Sequence, residues 1–241
     1  MNMKNTIKTA ILSLLAATVV NGQGVQNTKD QNAVEFGYYE QRIHRGQVDA
    51  TDAAYLKASS EVGTLRNLSI VGSVELVEDD RDQLHASLGT VFNTPIGDID
   101  TRLVAHKTEG SDFTFELEGQ YKVSPFNFVD AILSLNVEDG SGTIDYSTQM
   151  IYTPALNISK RFTSEYFDLI LGGETGKSYG LDDSFQYIQL YTRVETIINE
   201  TAHVYVQFNW LDNDDVVYDA TTFASSEDFD SSIQAGVSFK F

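Results

Sequence analysis

Beyond residue 33 the chain divides into segments of roughly ten residues in which apolar and polar side chains alternate, separated by turn-forming residues. In 201–210 the even positions are Ala202, Val204, Val206, Phe208 and Trp210, and the odd ones Thr201, His203, Tyr205, Gln207 and Asn209. Segment 112–121 sets Phe113, Phe115, Leu117, Gly119 and Tyr121 against Thr114, Glu116, Glu118 and Gln120. The last segment sets Ile233, Ala235, Val237, Phe239 and Phe241 against Ser232, Gln234, Gly236, Ser238 and Lys240. Successive side chains of a strand point to opposite faces, so each segment is a ribbon with one apolar and one hydrogen-bonding face.

Charge and cysteine usage narrow the partners. With 35 acids against 16 bases and a net charge of -19, the chain lacks the basic surface that nucleic acid requires. It contains no cysteine, which removes disulfide frameworks, thiol nucleophiles and zinc-thiolate sites. Lys4 and Lys8 precede an apolar run over 10–20 that is too short to span a bilayer as a helix. Residues 1–22 therefore read as a cleaved signal peptide, with 23–33 a short periplasmic segment and 34–241 the folded body. Cleavage after Gly22 takes the charge from -19 to -21. No run of eighteen apolar residues follows, so membrane crossing requires strands.

Strands are expected at about 34–45, 51–62, 66–77, 82–92, 98–107, 111–121, 129–138, 142–152, 166–174, 184–195, 201–210 and 230–241. This is an all-β, antiparallel, up-and-down transmembrane β-barrel of about twelve strands, within a range of 10–14 because 157–162 could form a further strand. An even count places both termini in the periplasm. Pro95, Pro125 and Pro154 then fall in periplasmic connections, and the acidic stretches near 78–82, 138–142 and 211–229 become external loops. Phe92, Tyr121, Tyr152 and Phe241 would ring the periplasmic boundary and Trp210 the outer one, as amphipathic aromatic girdles do. A secreted β-sandwich would alternate as well, but its solvated face would not mix Tyr, Gln, Ser, Gly and carboxylates as these segments do.

This register turns Glu61, Glu75, Asp100, Glu116, Glu118, Asp130, Glu138, Asp145, Asp168, Glu174 and Glu195 inward, with the bases Lys57, Arg102, Arg193 and Lys240. Glu61, Glu75, Asp100, Arg102, Glu116, Glu118, Asp145, Asp168, Arg193 and Glu195 are the expected pore lining. Their excess of carboxylates would concentrate cations if the lumen is hydrated. In a lumen too narrow for water, the same residues would form an ion-pair network.

Catalytic and metal patterns fare worse. His44, His106 and His203 lack metal-cluster spacing, and no cofactor is implied. Segment 171–178 ends in Gly176-Lys177-Ser178, yet Leu171 stands where a phosphate loop needs its leading glycine. Asp212, Asn213, Asp214 and Asp215 lack the glycine and glutamate of an EF-hand. His85 and Ser87 resemble the His and Ser of outer-membrane phospholipase, but here the phase turns them inward with no orienting Asn.

A last strand ending in Phe241 resembles the closing strand of outer-membrane proteins, which implies recognition by the barrel-assembly machinery. Phe36, Tyr38 and Tyr39 before Arg45-Gly46, Gly63 in the next turn, and Gly72-Ser73 in strand three resemble the opening of small TorF-like porins of Gram-negative bacteria. That resemblance covers about a fifth of the chain, by the extent of 34–76, and implies a porin-like role in an outer membrane among lipids and lipopolysaccharide. The expected function is passive diffusion of small solutes with cation preference. A non-conducting surface barrel and, distantly, a phospholipase are the alternatives.

Overall fold

The computed structural model describes residues 32–44, 47–65, 67–79, 82–126, 129–139, 150–179, 185–199, 201–213 and 230–240. The expected leader, Asp145, Phe241 and all but the start of the 211–229 loop lie outside them.

Alternation becomes strand throughout. The strands are β1 (Ala33–His44), β2 (Gln47–Leu65), β3 (Leu68–Glu78), β4 (Gln83–Thr94), β5 (Gly97–Thr108), β6 (Phe113–Phe126), β7 (Val129–Asp139), β8 (Met150–Thr163), β9 (Phe167–Ser178), β10 (Phe185–Ile197), β11 (Ala202–Asn213) and β12 (Asp230–Lys240). Each pairs with its chain neighbours, and β1 pairs antiparallel with β12 from Ala33↔Lys240 to Tyr39↔Gln234, closing a twelve-strand antiparallel barrel. Closure excludes the two-layer sandwich.

Accessibility follows the pleat in the sense a lipid-facing barrel requires. Leu103, Phe115, Leu117 and Leu133 are all more than half exposed, whereas Glu116, between two of them, is 1% exposed. Apolar chains face out and polar ones in, the inverse of a soluble β-domain.

The structure corrects the expected eighth strand, with Pro154 and Tyr152, and the expected places of Gly63 in a turn and Pro125 in a connection. The eighth strand is Met150–Thr163 rather than 142–152, so Pro154 is no connection residue. It pairs with Leu135 inside the sheet. On its other side the β8–β9 ladder reaches Ala155↔Gly176 and resumes only at the bridge Tyr152↔Tyr179, a gap that a residue without an N–H must leave. The shift also moves Tyr152 to the end of the barrel opposite Phe92 and Tyr121. Gly63, expected in a turn, lies within β2, where the register to β3 shifts between Glu61 and Gly63; a glycine suits such a bulge. Pro95 lies in the turn between β4 and β5, and Pro125 near the end of β6 at the same end of the barrel.

Inward tyrosines stand opposite glycines. Tyr187 and Tyr191 of β10 pair with Gly176 and Gly172 of β9, and a Cβ on those glycines would fall 2.5 Å and 2.2 Å from the facing ring. The rings therefore lie flat along the wall, an aromatic cover over bare backbone.

The outward band carries a direct test. Leu117→Arg, mid-strand on the lipid face, should destabilise the folded barrel in bilayers by about 2–4 kcal/mol. Gln120→Arg, on the inner face, should shift the denaturant midpoint far less. Equal shifts would mean the faces are assigned backwards.

Candidate functional site

Cross-strand register sets the chemistry of the interior. Glu35 of β1 stands opposite Lys57 of β2, Lys57 opposite Glu75 of β3, Glu75 opposite His85 of β4, and His85 opposite His106 of β5. One rung thus brings acid, base, acid and two imidazoles side by side, at the spacing where opposed side chains interact.

The surrounding groups are tied into the wall by hydrogen bonds. Glu75 accepts from Arg42 Nη2 at 3.1 Å and from Tyr39 Oη at 3.0 Å. The Tyr39 ring stacks on Tyr55 at 4.2 Å between centroids, and Ala50, Ala53 and Val77 close around them. Tyr55 and Tyr205 donate to Glu35 Oε1 at 2.7 Å and 2.6 Å, with their hydroxyls in mutual contact. Gln234 donates to Tyr205 at 2.8 Å. These two rings lie opposite Gly37 and Gly236, which are themselves paired across the closing seam. His85 and His106 meet through Nδ1 at 2.6 Å, and His106 Nε2 lies 3.0 Å from Glu116. Glu174 accepts from Tyr187 at 2.7 Å and from Asn157 at 3.3 Å.

Arginines are neutralised locally. Arg102 grips Asp100 through Nη2 at 2.6 Å and Nε at 2.9 Å, Arg161 lies 2.7 Å from Asp168, and Arg193 lies 3.5 Å from Glu195 while its guanidinium covers the Tyr205 ring at 3.6 Å. The Arg102–Asp100 contact, forked and partly desolvated, is the strong kind.

Two cavities lined by described residues lie inside. The first, about 510 Å³, opens toward the barrel end that carries both chain termini and is lined by Glu35, Lys57, Arg161, Glu174, Arg193, Glu195 and Lys240 among others. The second, about 420 Å³, lies toward the other end, with Arg42, Lys57, Glu75, His85, Arg102, His106, Glu118 and Glu174 in its wall.

Of the expected lining, Glu75, Arg102, Glu118, Arg193 and Glu195 reach these cavities. Asp100 sits beside them on Arg102. Glu116 and Asp168 face inward but are buried under His106 and Arg161, so they hold the wall rather than meet water. Glu61 is partly buried near the terminal end, its backbone N–H donating to Asn32 at 3.0 Å. Phe92 is exposed on the outer face, Tyr121 donates to the Ile96 carbonyl at 3.2 Å, and Trp210 lies half-buried near the far end.

The sequence reading missed Glu35, Arg42 and Arg161. Glu35 was legible, since Phe36 and Tyr38 facing out put it inside. Arg42 was not, because strict alternation points it into lipid; the β1–β2 pairing skips Glu40 and Asp52, where Asp52 takes a φ of 51°, and beyond that break Arg42 lies inside. Arg161 was lost with the displaced eighth strand. His85 and Ser87 do face inward, but the Ser87 hydroxyl pairs with Ser73 at 2.7 Å and not with the imidazole. No group of His, Cys, Asp and Glu among the described residues is arranged to hold a metal ion.

Solved structures share this architecture. A KdgM porin in complex with disordered oligogalacturonate superposes with a TM-score of 0.58 at 9% identity, covering 87% of this chain and 99% of that one. The NanC porin gives 0.57 at 9% identity, over 87% and 100%. The COG4313 outer membrane channel from Pseudomonas putida F1 gives 0.54 at 10% identity, over 90% and 100%. No protein-family model matches the chain, and no curated protein matches it in sequence. At these identities the likeness is one of fold: the closed barrel of outer-membrane porins.

Glu35 tests the seam. Glu35→Ala leaves two tyrosine hydroxyls without their acceptor and should lower stability by about 1–3 kcal/mol. Tyr55→Phe, which removes one donor and strands nothing, should lower it less; chemical denaturation in detergent compares them.

Proposed function

We propose that this chain is an outer-membrane channel for passive diffusion of small hydrophilic solutes, with a preference for cations. The observation that carries the reading is the pair of polar cavities in series inside a barrel whose outer face is apolar. A barrel of this size lies between side-chain-filled barrels and wide porins, so a narrow hydrated path suits it. The fold shared with the KdgM and NanC porins supports the same reading.

The proposed orientation sets both termini in the periplasm and the acidic 211–229 stretch outside. Residues 1–22 would direct export, the closing strand would engage the barrel-assembly machinery, and the outward apolar band would meet lipid and lipopolysaccharide. Phe36, Tyr38 and Tyr39 in β1 and Gly72-Ser73 in β3 support a TorF-like type.

Cation preference rests on how the charges are partnered. Arg42, Arg102, Arg161 and Arg193 each lie against a carboxylate, whereas Glu35 and Glu174 accept from neutral tyrosine, or from tyrosine and asparagine. Lys57 and Lys240 offset only part of the negative field that these acids, Glu118 and the distal carboxylates create.

A second reading, a non-conducting surface barrel, is favoured by the closed cluster of Ala50, Ala53, Tyr55 and Val77 against one wall. Planar-bilayer recording separates the two. Discrete current steps are expected, with a reversal potential in a salt gradient displaced toward the cation equilibrium value. Silence from correctly folded protein overturns the channel; an anion-side reversal potential overturns the preference alone.

A further inference from the structure

The two cavities have a common boundary, and its residues are specific. Lys57, Glu174 and Gln189 line both of them. Side chains that touch two successive chambers stand where one gives way to the other. Lys57 comes from β2 and Glu174 and Gln189 from β9 and β10, and between β2 and β10 the barrel order runs through β1, β12 and β11. Two separate stretches of wall therefore border the lumen at this level.

Register explains why Lys57 occupies the junction. Its rung partners divide between the chambers, Glu35 lining only the terminal one and Glu75, His85 and His106 only the distal one. Barrel strands tilt by roughly 35–45°, so a rung perpendicular to the strands climbs along the axis as it crosses the wall. Lys57 is the step between. Both flanking carboxylates are engaged elsewhere, Glu35 by Tyr55 and Tyr205 and Glu75 by Arg42 and Tyr39. The Lys57 side chain is exposed although it points inward, which places its ammonium in lumen water. Across from it, Glu174 is fixed by Tyr187 and Asn157, and Gln189 donates to Asn209 at 3.4 Å. One wall of the junction is thus tethered while the other carries a long, rotatable cation.

We propose that Lys57, facing Glu174 and Gln189, forms the selectivity waist of the lumen, a constriction of opposed charge that every permeating solute passes. The proposal rests on the channel reading and assigns its discriminating step. A waist of this kind passes small neutral and zwitterionic solutes, whose positive end meets Glu174 and whose negative end meets Lys57, and it slows bulkier ions of either sign.

The test uses the full-length protein in planar bilayers. Lys57→Ala widens the waist and removes its cation, so single-channel conductance should rise by about half and the reversal potential should move further toward the cation value. Glu174→Gln should move the reversal potential the opposite way. Lys240→Ala, which alters only the terminal chamber, should raise conductance by less than Lys57→Ala does on the same reasoning. Because the chain contains no cysteine, Lys57→Cys supplies a unique thiol. A sulfonate-bearing methanethiosulfonate reagent should then block most of the current, while at Lys240→Cys it should block little. If wild type conducts but the Lys57 variants match it, or the Lys240 variants equal them, the waist is wrongly placed and the channel reading stands. If folded wild type is silent, both fail.

Discussion

A strand in hydrocarbon cannot leave a backbone N–H or C=O without a partner, because no water is present to take its place. Everything in this fold answers that constraint at the seam between β1 and β12, the only adjacent pair in the barrel without a chain connection between them. The seam is thin in the middle, where Gly37 faces Gly236 and neither carries a side chain to pack. Tyr55 from β2 and Tyr205 from β11 fold over the two glycines and share the Glu35 carboxylate. The seam is thereby bridged by a polar clasp that spans four strands, and the glycines let the rings approach. The same device recurs where Tyr187 and Tyr191 cover Gly176 and Gly172. Flat rings cover the wall without projecting across the lumen, so the strengthening of the sheet and the preservation of interior space have one cause.

Closing the sheet sorts the charges as well. A carboxylate or guanidinium turned outward would lie in lipid at a cost of several kcal/mol, so the ionic residues of the strand centres collect inside, where they meet one another at strand spacing. The arginines find carboxylates. Several carboxylates find phenols, amides or imidazoles instead, which hold them by hydrogen bonds without cancelling their charge. An interior assembled in this way is rigid, its acids held between strands by hydrogen bonds.

The sequence made the fold class readable because the period of the pattern is geometrical. The even positions of 201–210 and the odd ones of 113–121 could only be one face of a strand, and the structure keeps both segments and their sense. Reading failed where local chemistry overrode the period. Pro154 looked like a breaker, but an isolated missing N–H interrupts one side of one ladder and leaves the strand intact; misjudging it hid Arg161 and Asn157 from the interior. Gly63 looked like a turn and is a bulge. Arg42 lies beyond the break at Asp52, which no one-dimensional alternation can contain. The tyrosine and glycine pairs were invisible for a different reason: each partner was legible on its own strand, but their opposition depends on the register between strands, which the turns determine.

That register also decides what a solute would meet. Had β2 been aligned one pair of residues differently, Tyr55 or Ser59 would stand between Glu35 and Glu75 in place of Lys57. The observed alignment sets a base between two acids, the favourable cross-strand arrangement. Strand tilt then converts lateral alternation of charge into alternation along the axis, with Glu35 toward one end, Lys57 between and Glu75 beyond. In the proposed channel a permeating ion would therefore never face an unbroken column of one sign. It would be drawn in and released in short steps, the condition under which binding in a narrow lumen remains compatible with flow.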